Sequence, residues 1–383
     1  MARIPLSWLQ LKREKFRFLV ALAGVGFAVV LMLMQLGFRD SLFESAVQFH
    51  RALRYDIVLM SPKTTYIARS SSFSQRRLYQ ALATDGVESV AAVYASLASW
   101  RNPVNFERRA MYVLGIDAAD GVFELPEVLA QLETLRKQDY VIYDETSRPE
   151  FGPIAEAVRR GETPETEINN RWIRVGGLFA VGTSFGINGS VVTSDMNFLR
   201  IFPERQRGLI DFGLIRLADG RDPAAMAKQL RQELAGDVLV LTEEEFVERE
   251  KDFWASTTPI GYVFTFGVII GIFVGGIIVY QILFADVSDH FSEYATLKAM
   301  GYSNGYLSRV VLEQAVILGA LGFVPGLALC LWLYSLASSA TRLPLIMTPG
   351  RILAVLSLTI AMCAVSGLIA LRKLRSVDPA EVF

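Results

Sequence analysis

Histidine and cysteine are nearly missing from this chain, with two of each among 383 residues. Cys330 and Cys363 both fall inside long apolar runs, so the polar part of the chain has no disulfide and must be held by its core. His50 and His290 fall on opposite sides of a membrane in the topology derived below and cannot share a metal. There is no G-x-x-x-x-G-K-[ST] loop to hold the β- and γ-phosphates of ATP, no H-E-x-x-H and no G-x-S-x-G. A basic stripe with interleaved aromatics is missing too, which argues against a nucleic-acid partner. Acidic residues are plentiful, but Glu243–Glu245 is more simply a helix N-terminus complementing its dipole than a catalytic cluster.

Charge is absent from four stretches close to or longer than the roughly 20 residues that cross a bilayer. They are Phe18–Phe38, Thr257–Ala285, Gln314–Ala340 and Ile352–Leu371. These runs explain a hydrophobic content of 52% and a mean hydropathy of +0.34, too apolar for a soluble protein of this length. Lys12, Arg13, Lys15 and Arg17 precede the first run as they would a signal peptide. Its apolar part, however, outlasts a signal core of about 7–15 residues and reaches Phe38 without an A-x-A-like cleavage site, so it reads as a retained span. Arg3, Lys12, Arg13, Lys15 and Arg17 at one end, and Arg372, Lys373 and Arg375 at the other, place both termini in the cytoplasm. Residues 39–256 then form one outer domain between spans one and two.

Within that domain, Asp40–Leu53 keeps a helical apolar spacing, so the first helix is expected to continue upward as a stalk. Thr242 and Glu245 fit a capping box opening a second stalk, Glu243–Ser256, that leads to Pro259 and span two. Between the stalks, strand patterns occupy Tyr55–Met60, Ala110–Ile116, Tyr140–Tyr143, Trp172–Val181, Ser190–Thr193 and Phe212–Leu217. Helical patterns occupy Gln75–Thr84, Leu125–Lys137, Pro153–Arg160 and Pro223–Ala235. Gly161–Asn170 is polar, contains Pro164 and reads as an exposed loop. The mixture, without strict β-α alternation, predicts an α+β domain.

Inside the spans the signals concern packing. Gly267, Gly271 and Gly275 recur every four residues on one face of span two, where glycine lets another helix backbone approach. Gly319, Gly322 and Gly326 around Pro325 suggest a kink or a tight contact in span three. No charged residue sits mid-span, which disfavours an ion or proton pathway through the bilayer. Between spans two and three, Asp286, Ser288 and Asp289 can cap a short amphipathic helix from His290, and Gly301 can end it in the left-handed conformation. Such a helix is either a membrane-surface anchor or a docking element for a cytoplasmic partner.

The order E-x-x-x-L-K-A-M-G-Y from Glu293 to Tyr302, followed by a helix containing Glu313, resembles the segment after the second span of FtsX-like and MacB-like ABC transporter permeases. The resemblance extends over nearly the whole chain, with V-L-G-I-D at 113–117, W-I-R-V-G-G-L-F at 172–179 and the V-D-P-A-E-V-F ending at 377–383. D-E-T-S-R-P-E-F-G at 144–152 and the D-P-A-E-V-F end look most like the DevC subgroup, permeases of cyanobacterial exporters associated with envelope glycolipids. Tyr294 and Ala295 depart from the family's Ile-Gly, and where MacB carries its ATPase on the same polypeptide, the expectation here is an ATPase on a separate chain.

The resemblance implies four transmembrane helices and an α+β periplasmic domain, a MacB-like porter plus an inserted lobe. The implied layout is a cytoplasmic amphipathic helix (1–17), span one (18–38), the periplasmic domain with its stalks (39–256), span two (257–285) and a cytoplasmic loop with the coupling helix (286–313). Span three (314–340), a periplasmic loop (341–351), span four (352–371) and a cytoplasmic tail (372–383) complete it. Glu293, Leu297, Lys298 and Gly301 would couple to a separate cytoplasmic ABC ATPase, which carries ATP and Mg while this chain holds no cofactor, metal or catalytic residue. The other implied partners are a second copy of the chain, a periplasmic membrane-fusion adaptor, a TolC-like outer-membrane channel and membrane lipid. Activation of a periplasmic cell-wall hydrolase, as by FtsX itself, and a receptor or scaffold role are the alternatives.

Overall fold

The computed structural model describes residues 15–289, 296, 300, 304–341, 343 and 345–375. Two compact units emerge, one made of Met1–Ser41 with Pro259–Phe383 and the other of Leu42–Thr258.

The described residues of the first unit form four helices, α1 (Lys15–Ala46, continuing into the second unit), α10 (Pro259–Asp289), α11 (Asn304–Thr341) and α12 (Pro349–Arg375). Each is long and apolar enough to cross a membrane. A helix is what such a run must form in lipid, because every backbone N–H and C=O has to be satisfied within the segment. The helices outrun the uncharged stretches, since Arg309 and Glu313 pair at i,i+4 inside α11 and so extend it below the apolar run. α10 starts at Pro259 because the residue before a proline is pushed out of the helical region, and Thr258 is extended. Pro325 lies inside α11 without ending it.

The second unit is organised by a nine-stranded sheet. Its elements are α2 (Gln48–Ala52), β1 (Ile57–Met60), β2 (Phe73–Ser74), α3 (Arg76–Leu82), β3 (Val87–Arg101), β4 (Arg108–Ile116), α4 (Pro126–Leu129) and α5 (Leu132–Leu135). They continue with β5 (Tyr140–Asp144), α6 (Ile154–Arg159), β6 (Glu165–Ile168), β7 (Arg171–Phe179), β8 (Ser190–Ser194), α7 (Asp195–Ile201), β9 (Leu209–Ile210), β10 (Phe212–Leu217), α8 (Pro223–Glu233), β11 (Leu239–Thr242) and α9 (Glu243–Asp252). The strand order is β11-β1-β10-β3-β4-β8-β5-β7-β6, and β6 also pairs with β3 at Trp100–Ile168 and Arg101–Glu167. The strands from β3 to β6 therefore form a closed circuit, while β10, β1 and β11 extend from the early half of β3 as an open sheet.

Alternate residues of each strand feed two different cores, as the period of two requires. Ile57, Leu59, Val113, Val141 and Ile215 join one, beneath α3, α6, α7 and α8; Val58, Leu114, Ile142 and Leu214 join the other, with Phe49 of α2 and Phe246 of α9. Burial on both faces explains why β1 reads as a continuous apolar run, Ile57–Met60.

The stretch 161–170 is not a loop throughout. Glu165–Ile168 is β6, with Thr166 and Ile168 buried and Glu167 accepting from Arg101 (2.9 Å) and Arg108 (3.3 Å). Asn169 and Asn170, both at positive φ, close a two-residue hairpin to β7. The polar composition thus belongs to a short strand whose exposed face carries ion pairs.

Candidate functional site at the stalks of the outer unit

The chain enters the outer unit along the end of α1 and leaves it along α9, and side chains tie these two segments together. α1 breaks at Val47 and α2 begins one residue later, carrying His50 inward. α9 is opened by the capping box, in which the Thr242 hydroxyl accepts from the Glu245 amide and Glu245 accepts from the Thr242 amide (2.9 Å). Phe246, Glu250 and Trp254 follow at intervals of four and lie on one buried face.

Glu44 near the end of α1 accepts from Lys251 (2.7 Å) and from Arg51 (2.6 Å). Behind this partly exposed pair, worth at most about 1 kcal/mol, lies a buried one. His50 is 0% and Glu250 3% exposed, with Nε2 and Oε2 3.6 Å apart, and the imidazole packs on the Phe246 ring at 4.2 Å. The Glu250 carboxylate also accepts from the Ile67 amide (2.9 Å) and from Trp254 Nε1 (3.0 Å). One carboxylate therefore gathers α2, the loop after β1 and the segment leaving α9.

That segment, Phe253–Thr257, is a π-helical turn, a form concentrated at functional positions. Trp254 anchors it, edge-on to Tyr66 (5.4 Å) and Phe185 (5.5 Å), while Tyr66 stacks on Phe253 (4.9 Å). Arg249 adds a bond to the Thr64 carbonyl (3.1 Å). Such an arrangement resists sliding of one stalk against the other. Among the described residues no cluster of three His, Cys, Asp or Glu side chains has metal-holding geometry.

The glycines singled out in span two face α1. A Cβ on Gly267 would lie 2.4 Å from Gln35 Cδ, on Gly271 3.2 Å from Met32 Cγ, and on Gly275 2.5 Å from Ala28 Cβ and 2.7 Å from Met362 Sδ. Gly322 and Gly326 of α11 meet Val25, Val29 and the Gly26 carbonyl of α1, so the glycines around Pro325 serve a tight contact. At one end of the bundle Arg351, buried in the first turn of α12, donates to Asp40 of α1 (2.8 Å) and to Tyr334 of α11 (3.2 Å), and Tyr334 donates to the Leu33 carbonyl. Glu293, Leu297, Lys298 and Gly301 lie outside the described residues.

Sequence reasoning missed the His50–Glu250 pair, whose members are 200 positions apart. The signal available was a carboxylate in register with Phe246 and Trp254 on the apolar face of a helix. The D-E-T-S-R-P-E-F-G stretch has a structural role. Buried Asp144 accepts from Thr146 and from Ser190 (3.1 Å), and the Phe151 carbonyl accepts from Trp100 Nε1 (3.0 Å).

A cleft of about 430 Å³ on the outer unit is lined by Glu88, Asp117, Asp120 and Asp195 together with Tyr79 and Tyr94. Burial, reinforced by the Asp117 and Asp195 carboxylates, pushes Asp120 up to about 6. The folded chain holds this proton more tightly than the unfolded chain, so the group costs stability as pH rises from about 4 through about 6. Asp120 is half-exposed and solvent screens part of the effect. Asp120→Asn is expected to stabilise the protein by about 1 kcal/mol at pH 7.5 and to leave it unchanged at pH 4. Thermal unfolding at the two pH values checks this; equal shifts at both would rule the cause out.

No curated protein matches the chain. Among solved structures, the periplasmic region of MacB from Actinobacillus actinomycetemcomitans is similar at 11% identity with a TM-score of 0.34, covering 51% of this chain and 92% of that one. The extracellular domain of the noncanonic ABC-type transporter YknZ from Gram-positive bacteria is similar at 13% identity and a TM-score of 0.33, covering 49% and 99%. Residues 265–379, which take in most of α10 and all of α11 and α12, match the FtsX-like permease C-terminal family.

Proposed function

We propose that the chain is the non-catalytic permease subunit of an ABC exporter in a bacterial inner membrane, with both termini cytoplasmic. The observation that carries this reading is the FtsX-like match over residues 265–379, in a chain whose other parts are one further apolar helix and an outer α/β unit. Two copies pair with a separate cytoplasmic ATPase dimer, which binds ATP and Mg. Closure of that dimer pulls on the segment carrying Glu293, Leu297, Lys298 and Gly301, and the stalks carry the movement into the outer unit. A periplasmic adaptor and a TolC-like outer-membrane channel complete the path for a lipid, glycolipid or other envelope substrate, as in the DevC subgroup. The stalk clamp supports this reading because a movement is transmitted only if the segments that deliver it cannot slip.

The test is to tag the C-terminus, extract the protein in mild detergent and identify stoichiometric partners by mass spectrometry. An ABC ATPase with a periplasmic adaptor is the expected result, and an ATPase with a cell-wall hydrolase would point to the activator role instead. Gly301→Val places a β-branched residue where the sequence leads us to expect a left-handed cap, at a cost of about 1–2 kcal/mol if that cap forms, and should lower stimulation of the partner's ATP hydrolysis. Recovery of no ATPase from a complex that stays dimeric would overturn the proposal.

A further inference from the structure

The acidic cleft of the outer unit gathers carboxylates with no cation to balance them. Asp117 and Asp120 come from the segment that follows β4, and Asp195 is the first residue of α7. A register shift between β10 and β3 at Arg216–Leu217 leaves Glu88 as an extra residue, and it lines the same cleft. Among the described residues only Glu88 of these four has a cationic partner, Arg216 at 4.0 Å. The charges that act on Asp120 are Asp117 and Asp195, and both add to the effect of burial; Asp195 is raised by burial, with Asp117 adding to it. Like charges held together in this way cost stability until something neutralises them.

An acidic cluster alone would be no more than a solvated rim, and the second feature is Tyr94. Alternation along β3 puts Val90, Ala92 and Tyr94 on the face that lines the cleft. Tyr94 is only 5% exposed and packs on Phe198 of α7 at 5.5 Å, yet its hydroxyl has no hydrogen-bond partner among the described residues. Burial and then the Asp195 carboxylate raise its pKa, so the hydroxyl is turned toward the acidic side of the cleft. A buried phenol normally finds a partner, and this one is free to accept a hydrogen bond from a ligand.

The lining selects the kind of ligand. A bare metal ion does not suit it, since among the described residues no three acidic groups are placed to hold one. Leu78, Leu82 and Val90 form an apolar wall beside the carboxylates, and Tyr79 presents an exposed ring. Such walls fit methylenes, and a tyrosine face attracts an ammonium group. At about 430 Å³ the cleft lies within the size range of small-molecule sites.

We propose that this cleft binds a small organic polyamine, with ammonium groups on the Asp117, Asp120 and Asp195 carboxylates and the Tyr94 hydroxyl, and with its methylenes along the apolar wall. The inference goes beyond the exporter reading and needs neither an ATPase nor any placement of the outer unit relative to a bilayer.

The test titrates spermidine into the full chain in a neutral detergent at pH 7.5 and low salt, read by calorimetry. Asp117→Asn combined with Asp120→Asn should weaken binding by about tenfold or more, because charge-assisted bonds are lost. Asparagine at 117 keeps the oxygen that accepts from the Ala119 amide (2.9 Å), so the turn survives. Tyr94→Phe keeps the ring on Phe198 and should weaken binding by about threefold. Glu133→Gln, which alters an exposed acid paired with Arg136, should change nothing. The parent should bind less tightly at pH 5, where Asp120, pushed up to about 6, is mostly protonated, and Asp120→Asn should lose part of that dependence. Equal affinity in the parent and the double variant would overturn the site, and an unchanged Tyr94→Phe would overturn the role of the hydroxyl. Magnesium ions competing as well as spermidine at equal charge would show screening alone and overturn the proposal. A trilysine peptide binding about tenfold more tightly than spermidine would overturn the small-molecule class in favour of a protein partner.

Discussion

Gly275→Leu is expected to cut the yield of folded, monodisperse protein in detergent by about tenfold or more, because the bundle has no room for a side chain there. The first carbon alone would lie 2.5 Å from the Ala28 Cβ, which cannot rotate away, and 2.7 Å from the Met362 sulfur. α10 would have to back off from α1 and α12 together. Gly271 offers a graded comparison, since its nearest obstacle is the flexible Met32 side chain at 3.2 Å, and Gly271→Ala should be tolerated. Gly236→Leu is the control, with nothing within 4 Å of the added carbon. Size-exclusion profiles of fluorescently tagged variants read the result. A Gly275→Leu profile matching that of Gly236→Leu would show that the α1–α10 contact is not close in the folded protein.

Glu250→Ala should lower the unfolding midpoint of the full chain by about 10 °C. Leaving two buried N–H donors without an acceptor costs about 1–3 kcal/mol each, and for a unit of this size each kcal/mol moves the midpoint by about 2–4 °C. The Ile67 amide and the Trp254 indole would be left as buried donors without an acceptor, and His50 would lose its carboxylate. Glu250→Gln should fall between, because its amide can replace one oxygen as acceptor but presents N–H to the other donor. Intrinsic fluorescence during a thermal ramp measures all three proteins. A midpoint for Glu250→Ala within 2 °C of the parent, a shift of about 1 kcal/mol or less, would mean that the pair does not hold the stalks.

What the sequence made legible follows from which physical signal each element carries. The four spans are visible because lipid tolerates few alternatives to a long uncharged helix. The capping box at Thr242 and the strand at Phe212–Leu217 are visible because each depends on residue types within a few positions. β3 was not visible, although it is the longest strand, because V-E-S-V-A-A-V-Y-A-S-L-A-S-W-R is rich in alanine and serine, which carry little strand preference of their own. It is a strand because β10, β4 and β6 pair with it. α7 was hidden for a similar reason, resting on a Ser194 cap that accepts from the Asn197 amide and on Phe198 filling the core. The clamp could not be found at all from local pattern, since its meaning lies in the meeting of His50 with Glu250 across the whole outer unit.

The order of the open sheet also sets a timetable for biogenesis. β1 has only β10 and β11 as neighbours, with Ile57 opposite both Ile215 and Thr242. At a synthesis rate of about 5–20 residues per second, roughly 10–30 s pass between the emergence of β1 and that of its first partner. Throughout that interval a four-residue apolar strand, destined for burial on both faces, has bare edges. The unit between α1 and α10 therefore completes itself only as its last strand arrives, just before α10 follows, and the nascent chain is most open to mispairing or to capture by a folding helper in the seconds before Thr242 emerges.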